Sequence, residues 1–387
     1  MTAQRIKFSP KYKPEFITEL RKEVQEYFKS NRISKAGNSS VIPKAGFMIM
    51  LYLLPFALMM TGIITSLPLI LTGWLLMGAG MAGIGMVLMH DANHGALSEN
   101  QKLNKLMGKS LYFLGGFPAT WKYQHNTLHH GFTNIEGHDE DIDPVGILRL
   151  SPHKPVYRIN RYQQWYAWFL YGLMTLTWIT SKDFQQLIRY HRENAPLDGH
   201  NKFGRLMTDL IVSKFLYYAI FLIAPIILLP IAWYWTVLFF VAMHFTAGLI
   251  LGAVFQTAHV MPTSEYPLPD EDGNMDNNWA IHQMQTTTNF APDNRLLTWL
   301  IGGLNFQVEH HLFPNISHVH YKKLSPMVKA AALKYGVPYH VQPNFRSALY
   351  NHFKMLKNLG REGEKAATGN NINNAVVAKH SMKTPAV

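Results

Sequence analysis

Residues 68–94 read PLILTGWLLMGAGMAGIGMVLMHDANH. From Pro68 to Met89 there is no charged side chain, and then two histidines arrive four residues apart, His90 and His94. A hydrocarbon core about 30 Å thick needs about 20 apolar helical residues, so this stretch predicts a membrane-spanning helix. If the helix continues for one more turn, both imidazoles lie on one face and can hold a metal ion. The sequence on either side has to supply the rest of the site.

The charge-free run begins earlier, at Ala45, and is long enough for two spans, 46–65 and 68–89, joined near Ser66. A second charge-free run, Phe215 to Ser264, lies within a hairpin of spans 210–229 and 232–256, broken near Pro230. The expected fold is therefore all-α and integral to the membrane, with four transmembrane helices in two hairpins. The near-zero mean hydropathy averages these runs with polar loops. Basic or polar outer ends and uncharged tips put both termini in the cytoplasm by the positive-inside rule.

The formal charge of +12 flanks apolar runs, so it reads as topogenic or lipid-facing rather than as a nucleic-acid surface. Cysteine is absent, which rules out disulfides, thiolate haem, iron–sulfur clusters and zinc–thiolate sites. Any metal has to be held by nitrogen and oxygen. No signal peptide is read in residues 1–44, a basic segment with one amphipathic helix. There Phe16, Leu20, Val24 and Phe28 recur every four residues, which suits a helix lying in the membrane surface or one packed on protein. Residues 162–181 are uncharged and aromatic. A fifth crossing would strand the third histidine cluster on the wrong side, so this segment is placed in the interface. Residues 45–360 form the main domain, and 361–387 read as a disordered tail.

Two further stations accompany His90 and His94: His125-Asn126-Thr127-Leu128-His129-His130 and Gln307-Val308-Glu309-His310-His311. His125 and His129 repeat the four-residue spacing, and His130 points toward a second ion. Three such clusters at the cytoplasmic edge of membrane hairpins form one ligand set. His244 reads as packed or hydrogen-bonded within a span. His138, His153, His191, His200, His282, His340, His352 and His380 read as loop histidines. His318 and His320 are either supporting groups or ordinary loop residues, the plain reading being favoured. Asp91, Glu309 and Asp143 are candidates to receive the outer N–H of a ligand ring, whereas Asp139 and Asp141 read as solvated acids.

HDANH, HNTLHH with GFTN following, and QVEHH resemble the three histidine boxes of membrane fatty acid desaturases. Gln307 at the head of the third box resembles the front-end type. The resemblance covers most of residues 40–345. It implies four spans, a cytoplasmic helical cap and two non-haem iron ions held by His90, His94, His125, His129, His130, His310 and His311. It adds His259, just after the fourth span, as an eighth ligand, and leaves Gln307 to bind iron, a water or substrate. It also implies O2 as co-substrate and a cis double bond as product. Residues 279–289 resemble a segment before the third box, which makes Trp279, Gln283, Thr287 and Asn289 substrate-binding candidates. No fused cytochrome b5 motif is found, so the resemblance implies a separate electron donor, a ferredoxin or a cytochrome b5 with its reductase. The substrate is a fatty acyl-CoA, acyl-phospholipid or acyl-carrier ester drawn from membrane lipid. The alternatives are a lipid hydroxylase or ketolase with the same boxes and, from other classes, a membrane metal transporter or a haem protein. Those last two need ligands inside the bundle rather than at span ends.

Overall fold

The computed structural model describes residues 6–144, 147–197 and 202–361. The expected disordered tail lies outside these beyond residue 361, as do His200 and His380. Four helices are long and apolar enough to cross a membrane: Val41–Met60, Leu67–Asn93, Phe203–Leu228 and Trp233–His259. They match the expected spans one for one, with shifted ends. The first starts early because Lys44 turns inward and is buried, so it does not mark a boundary. The third starts at Phe203 rather than at 210, and its Lys214 is buried. Its ammonium donates to the carbonyls of Gly115 (2.5 Å) and Trp178 (2.8 Å) and pairs with Asp183.

The glycines of the second span serve close packing. A Cβ at Gly80 would lie 2.6 Å from the Tyr52 backbone nitrogen in the first span. One at Gly78 would lie 2.4 Å from the Met243 carbonyl in the fourth. This span therefore fits against its neighbours only because those side chains are missing.

The segment expected at the interface forms two helices, Gln163–Gly172 and Met174–Thr177. A π turn, Trp178–Lys182, then leads into Asp183–Arg192. It is not among the helices suited to crossing. It packs on the fourth span, where Gly248 allows the Tyr171 and Gly172 carbonyls to approach, while Trp165 and Phe169 stay exposed.

The amphipathic helix Pro14–Ser30 does not keep its apolar face for lipid. Phe16, Leu20, Val24 and Phe28 are buried against Leu324 and Val328 of helix Tyr321–Tyr335 and against Met284, Val308 and Leu312. Of the two readings of this helix, packing on protein is the one realised. Each such side chain stabilises the cap by about 1.5–3 kcal/mol. The cap covers the ends of the second and fourth spans, where the histidines emerge.

Candidate metal centre

The second span does not stop at Met89. A π turn over Gly85–Met89 passes directly into His90–Asn93, which opens on His90 and is capped by His94. The second station lies on another π turn, Tyr123–His129, continued by His130–Phe132. The third sits on the short helix Gln307–Leu312, and His259 is the last residue of the fourth span. π turns are frequent at functional sites.

Three groupings bring ligand nitrogens within 4.8 Å of one another: His90, His94, His125 and His310; His129, His259 and His311; and His130, His310 and His311. All eight expected ligand histidines therefore meet. The pairing differs from the simple i,i+4 reading. His125 and His129 stack with ring centroids 5.4 Å apart but open toward different partners. His130, five residues on, brings its Nε2 to 3.3 Å from His125 Nε2, as the wider π turn allows. A further grouping of His125, His129 and Asp141 adds a carboxylate at the edge of the cluster.

The outer and inner ring atoms are treated differently. His129 Nδ1 lies 3.2 Å from both Asp139 oxygens and 3.3 Å from Asp141. His259 Nδ1 faces the Thr286 carbonyl at 3.3 Å, His310 Nδ1 faces the Tyr321 hydroxyl at 3.0 Å, and His311 Nδ1 faces Gln283 Oε1 at 2.8 Å. The inner Nε2 atoms of His94, His259, His310 and His311 are buried without a hydrogen-bond partner. His90 Nε2 and His125 Nε2 face each other at 3.1 Å. Buried polar atoms without partners are rare. Braced outer nitrogens with lone pairs converging inward are the arrangement of metal-ligating imidazoles. An all-nitrogen donor set with a carboxylate at its edge suits a first-row transition metal.

Electrostatics agree with that assignment. Burial, and then the neighbouring rings, hold His130, His310 and His311 well below the ordinary histidine range, so they offer neutral lone pairs. Burial also works against charge on His129. There the charge and hydrogen bond of Asp139, with Asp141 behind, prevail and raise it to about 9.

Several sequence expectations need correction. Asp139 is buried and bonds His129, and it reaches back because the chain turns at Asn134 (φ 59°), whose N–H donates to Asp139 at 2.9 Å. Asp143, the expected partner, instead pairs with Lys154 at the surface. Glu309 touches no ligand ring. It accepts from Asn289 (2.8 Å) and Tyr339 (2.7 Å), and burial pushes it up to about 7. Asp91 Oδ1 stands 3.8 Å from His90 Nδ1, and its other oxygen is engaged elsewhere. Gln307 is buried with an unpartnered Nε2.

Three of the four substrate candidates have structural bonds. Trp279 Nε1 donates to the His130 carbonyl (2.9 Å), Gln283 bonds that carbonyl and His311, and Asn289 holds Glu309 while accepting from the Val308 N–H (2.8 Å). Thr287 is buried with its hydroxyl unpartnered. His282 and His352 are not solvated loop residues. They are buried and bonded to the Thr133 carbonyl and to Tyr171 and Val260. His244 is hydrogen-bonded within the bundle, to Tyr217 and Thr175, as expected.

An apolar crevice adjoins the cluster, lined by Met81, Met89, Leu114, Trp178, Leu251 and Phe255, with His90 in its wall. Trp121, Trp178, Leu251 and Phe255 also line a more polar cleft that reaches His125, His129, His259 and Lys182. Trp279, Gln283, Thr287 and Asn289 line neither.

The profile of the fatty acid desaturase family matches residues 65–343. The chain is 33% identical over 369 residues to an sn-1 linoleoyl-lipid 6-desaturase of Synechocystis sp., covering 93% of this chain and 99% of that one. It is 32% identical to the enzyme of that name from Arthrospira platensis, covering 91% and 94% of the two chains. It is also 32% identical to an acyl-lipid (8-3)-desaturase of Physcomitrium patens, covering 89% and 72%. Buried imidazoles converging beside an apolar crevice, on a chain matched over nearly its whole length by such relatives, place this membrane protein in the fatty acid desaturase family, as an oxidoreductase that puts a double bond into a fatty acyl chain.

Proposed function

We propose that this chain is a front-end acyl-lipid desaturase that forms the double bond at carbon 6 of a membrane-lipid acyl chain. The observation that carries the reading is the set of unpartnered Nε2 atoms of His94, His259, His310 and His311 in a histidine cluster whose His90 lines the apolar crevice. The names of the relatives supply the acyl-lipid class and the carbon position. His90, His94, His125 and His310 would hold one iron, and His129, His259 and His311 the other, with His130 reaching across. When bound, two irons supply the O2-dependent oxidation that an unactivated methylene requires and that side-chain acid–base chemistry cannot provide.

The chain's own residues do the rest. The apolar side chains of the crevice would border the acyl chain and keep water from the cluster. Trp121 stacks on His125, with centroids 4.5 Å apart, and also forms the crevice wall, so a methylene lying against Trp121 is held next to a ligand ring. Asp139, Thr286, Tyr321 and Gln283 fix the ring orientations. The cap and both termini would face the cytoplasm, where a ferredoxin or a cytochrome b5 with its reductase delivers electrons. Residues 162–181 would lie at the interface. Expression in a host supplied with linoleoyl lipid, followed by mass spectrometry of the new double bond, tests the proposal. A bond at carbon 6 is expected. A hydroxylated product without a new alkene would refute the desaturation step.

A further inference from the structure

The oxygen of Asp91 that faces away from His90 has three donors. Ser317 Oγ lies at 2.8 Å, the His318 backbone N–H at 3.1 Å and His318 Nδ1 at 2.7 Å. On the far side of the same ring, His318 Nε2 meets Lys44 Nζ at 2.8 Å. Lys44, Asp91 and His318 are all buried, at 6%, 1% and 3% exposure. These bonds fix the tautomer. With Nδ1 donating to the carboxylate, Nε2 carries the lone pair that accepts from the ammonium. A neutral imidazole thus bridges one buried positive and one buried negative charge, a balance that removing any member breaks.

The three residues come from segments far apart in the chain: the start of the first span, the end of the second, and the loop after the third station. Asp91 follows His90 directly, and His318 lies seven residues beyond His311. The bridge therefore clamps the first station against the third, where the rings of His90 and His310 lie 4.5 Å apart. The loop is also tied to the N-terminal segment, since the Ser317 N–H donates to the Lys35 carbonyl at 2.9 Å. The proposed reaction leaves Lys44 and His318 without a role, and neither touches a ligand nitrogen.

We infer that His318, bridging Lys44 to Asp91, is a positioning residue that holds His90 and His310 in register for the iron of the first group. The inference rests on the di-iron reading proposed above. Two isosteric substitutions separate the two faces of the ring in the full-length protein. In His318→Asn the amide nitrogen takes the place of Nδ1 and keeps the bond to Asp91. In His318→Gln the amide oxygen takes the place of Nε2 and keeps only the bond to Lys44. Iron per chain, the Mössbauer spectrum of the purified protein, and kcat and KM on acyl lipid are measured for both, and matched gel-filtration profiles establish folding.

The expected result is a 10- to 100-fold weaker iron affinity in His318→Gln, on the scale of lost outer-shell partners. One of the two iron signals should change, and kcat should fall with KM unaltered. His318→Asn keeps the bond to Asp91 but leaves the buried Lys44 ammonium without its acceptor, so it should show the same changes to a clearly smaller extent. Wild-type iron content, spectrum and kcat in His318→Gln overturn the inference alone, as does an equal loss in both variants. A wild-type chain that takes up no iron overturns the di-iron reading, and this inference with it.

Discussion

The two halves of the histidine cluster use the same imidazole and support it differently. The first group joins His90 and His94, at the end of the second span, to His125 of the second station and His310 of the third. Its bracing is weakly polar: the Tyr321 hydroxyl on His310, and Asp91 no closer than 3.8 Å to His90. The second group joins His259, the last residue of the fourth span, to His129 and His311 of the second and third stations. It has two carboxylates on His129, a carbonyl on His259 and an amide on His311. Anionic bracing raises ligand basicity, so the second group is the stronger cation holder. The first depends on how well its helices are held in place.

The largest test of this contrast removes a ring from each half. His94→Ala and His311→Ala should each lower product formation by more than about 100-fold, beyond the cost of losing an outer partner. Gas chromatography of lipids from the expressing host would show it, and substantial product from either variant breaks the assignment. Next comes Asp139→Asn, which should weaken iron binding about 10- to 100-fold. Asp143→Asn should leave it unchanged, because Asp143 pairs with Lys154 instead. Equal losses in the two variants would erase the electrostatic distinction between the halves.

The halves also differ in how they could be read from sequence. His90 and His94 of the first group are written as HxxxH at the end of an apolar run, and their position follows from helix geometry alone. His259 carries no local pattern, and only the resemblance singled it out. Asp139 was passed over because an acidic stretch after a histidine pair looks solvated. Its burial depends on the left-handed turn at Asn134, which no periodicity announces. Lys44 reads as a span marker for the same reason, since a buried lysine is recognised only by its partners, and its partner His318 lies far away in sequence. The four spans were legible because charge exclusion by lipid acts on every residue of a helix. Burial of a single polar group is a tertiary event.

The pH dependence of the iron-free protein's stability sets His129 apart from the other rings by sign. His130, His310 and His311 are held below their unfolded values by burial. Their contribution is present above about pH 6.5, the unfolded histidine value, and is lost as the pH falls below it, because the unfolded chain takes up protons first. The slope is at most about 1.4 kcal/mol per pH unit for each ring. His129, raised to about 9, does the reverse: its contribution is full below about pH 6.5 and is lost as the pH rises through 9. Melting temperatures of chelator-treated protein between pH 5 and 10 should therefore fall at both ends. Asp139→Asn should flatten the alkaline fall alone, and an unaltered alkaline limb in that variant would show that His129 is not held by the carboxylate.

The smallest effect is expected at Trp279, which also decides between two roles. Its indole N–H donates to the His130 carbonyl and its ring lines neither crevice nor cleft. Trp279→Phe removes one hydrogen bond and keeps most of the packing, so it should cost about 1 kcal/mol of stability. KM and the position of the new double bond should not move, because the residue bears on His130 rather than on the acyl chain. A raised KM or a shifted double bond would instead place Trp279 on the substrate, as its position before the third station first suggested. The cleft would then extend past His130 toward the cap, and the second group of histidines, not the first, would face the acyl chain.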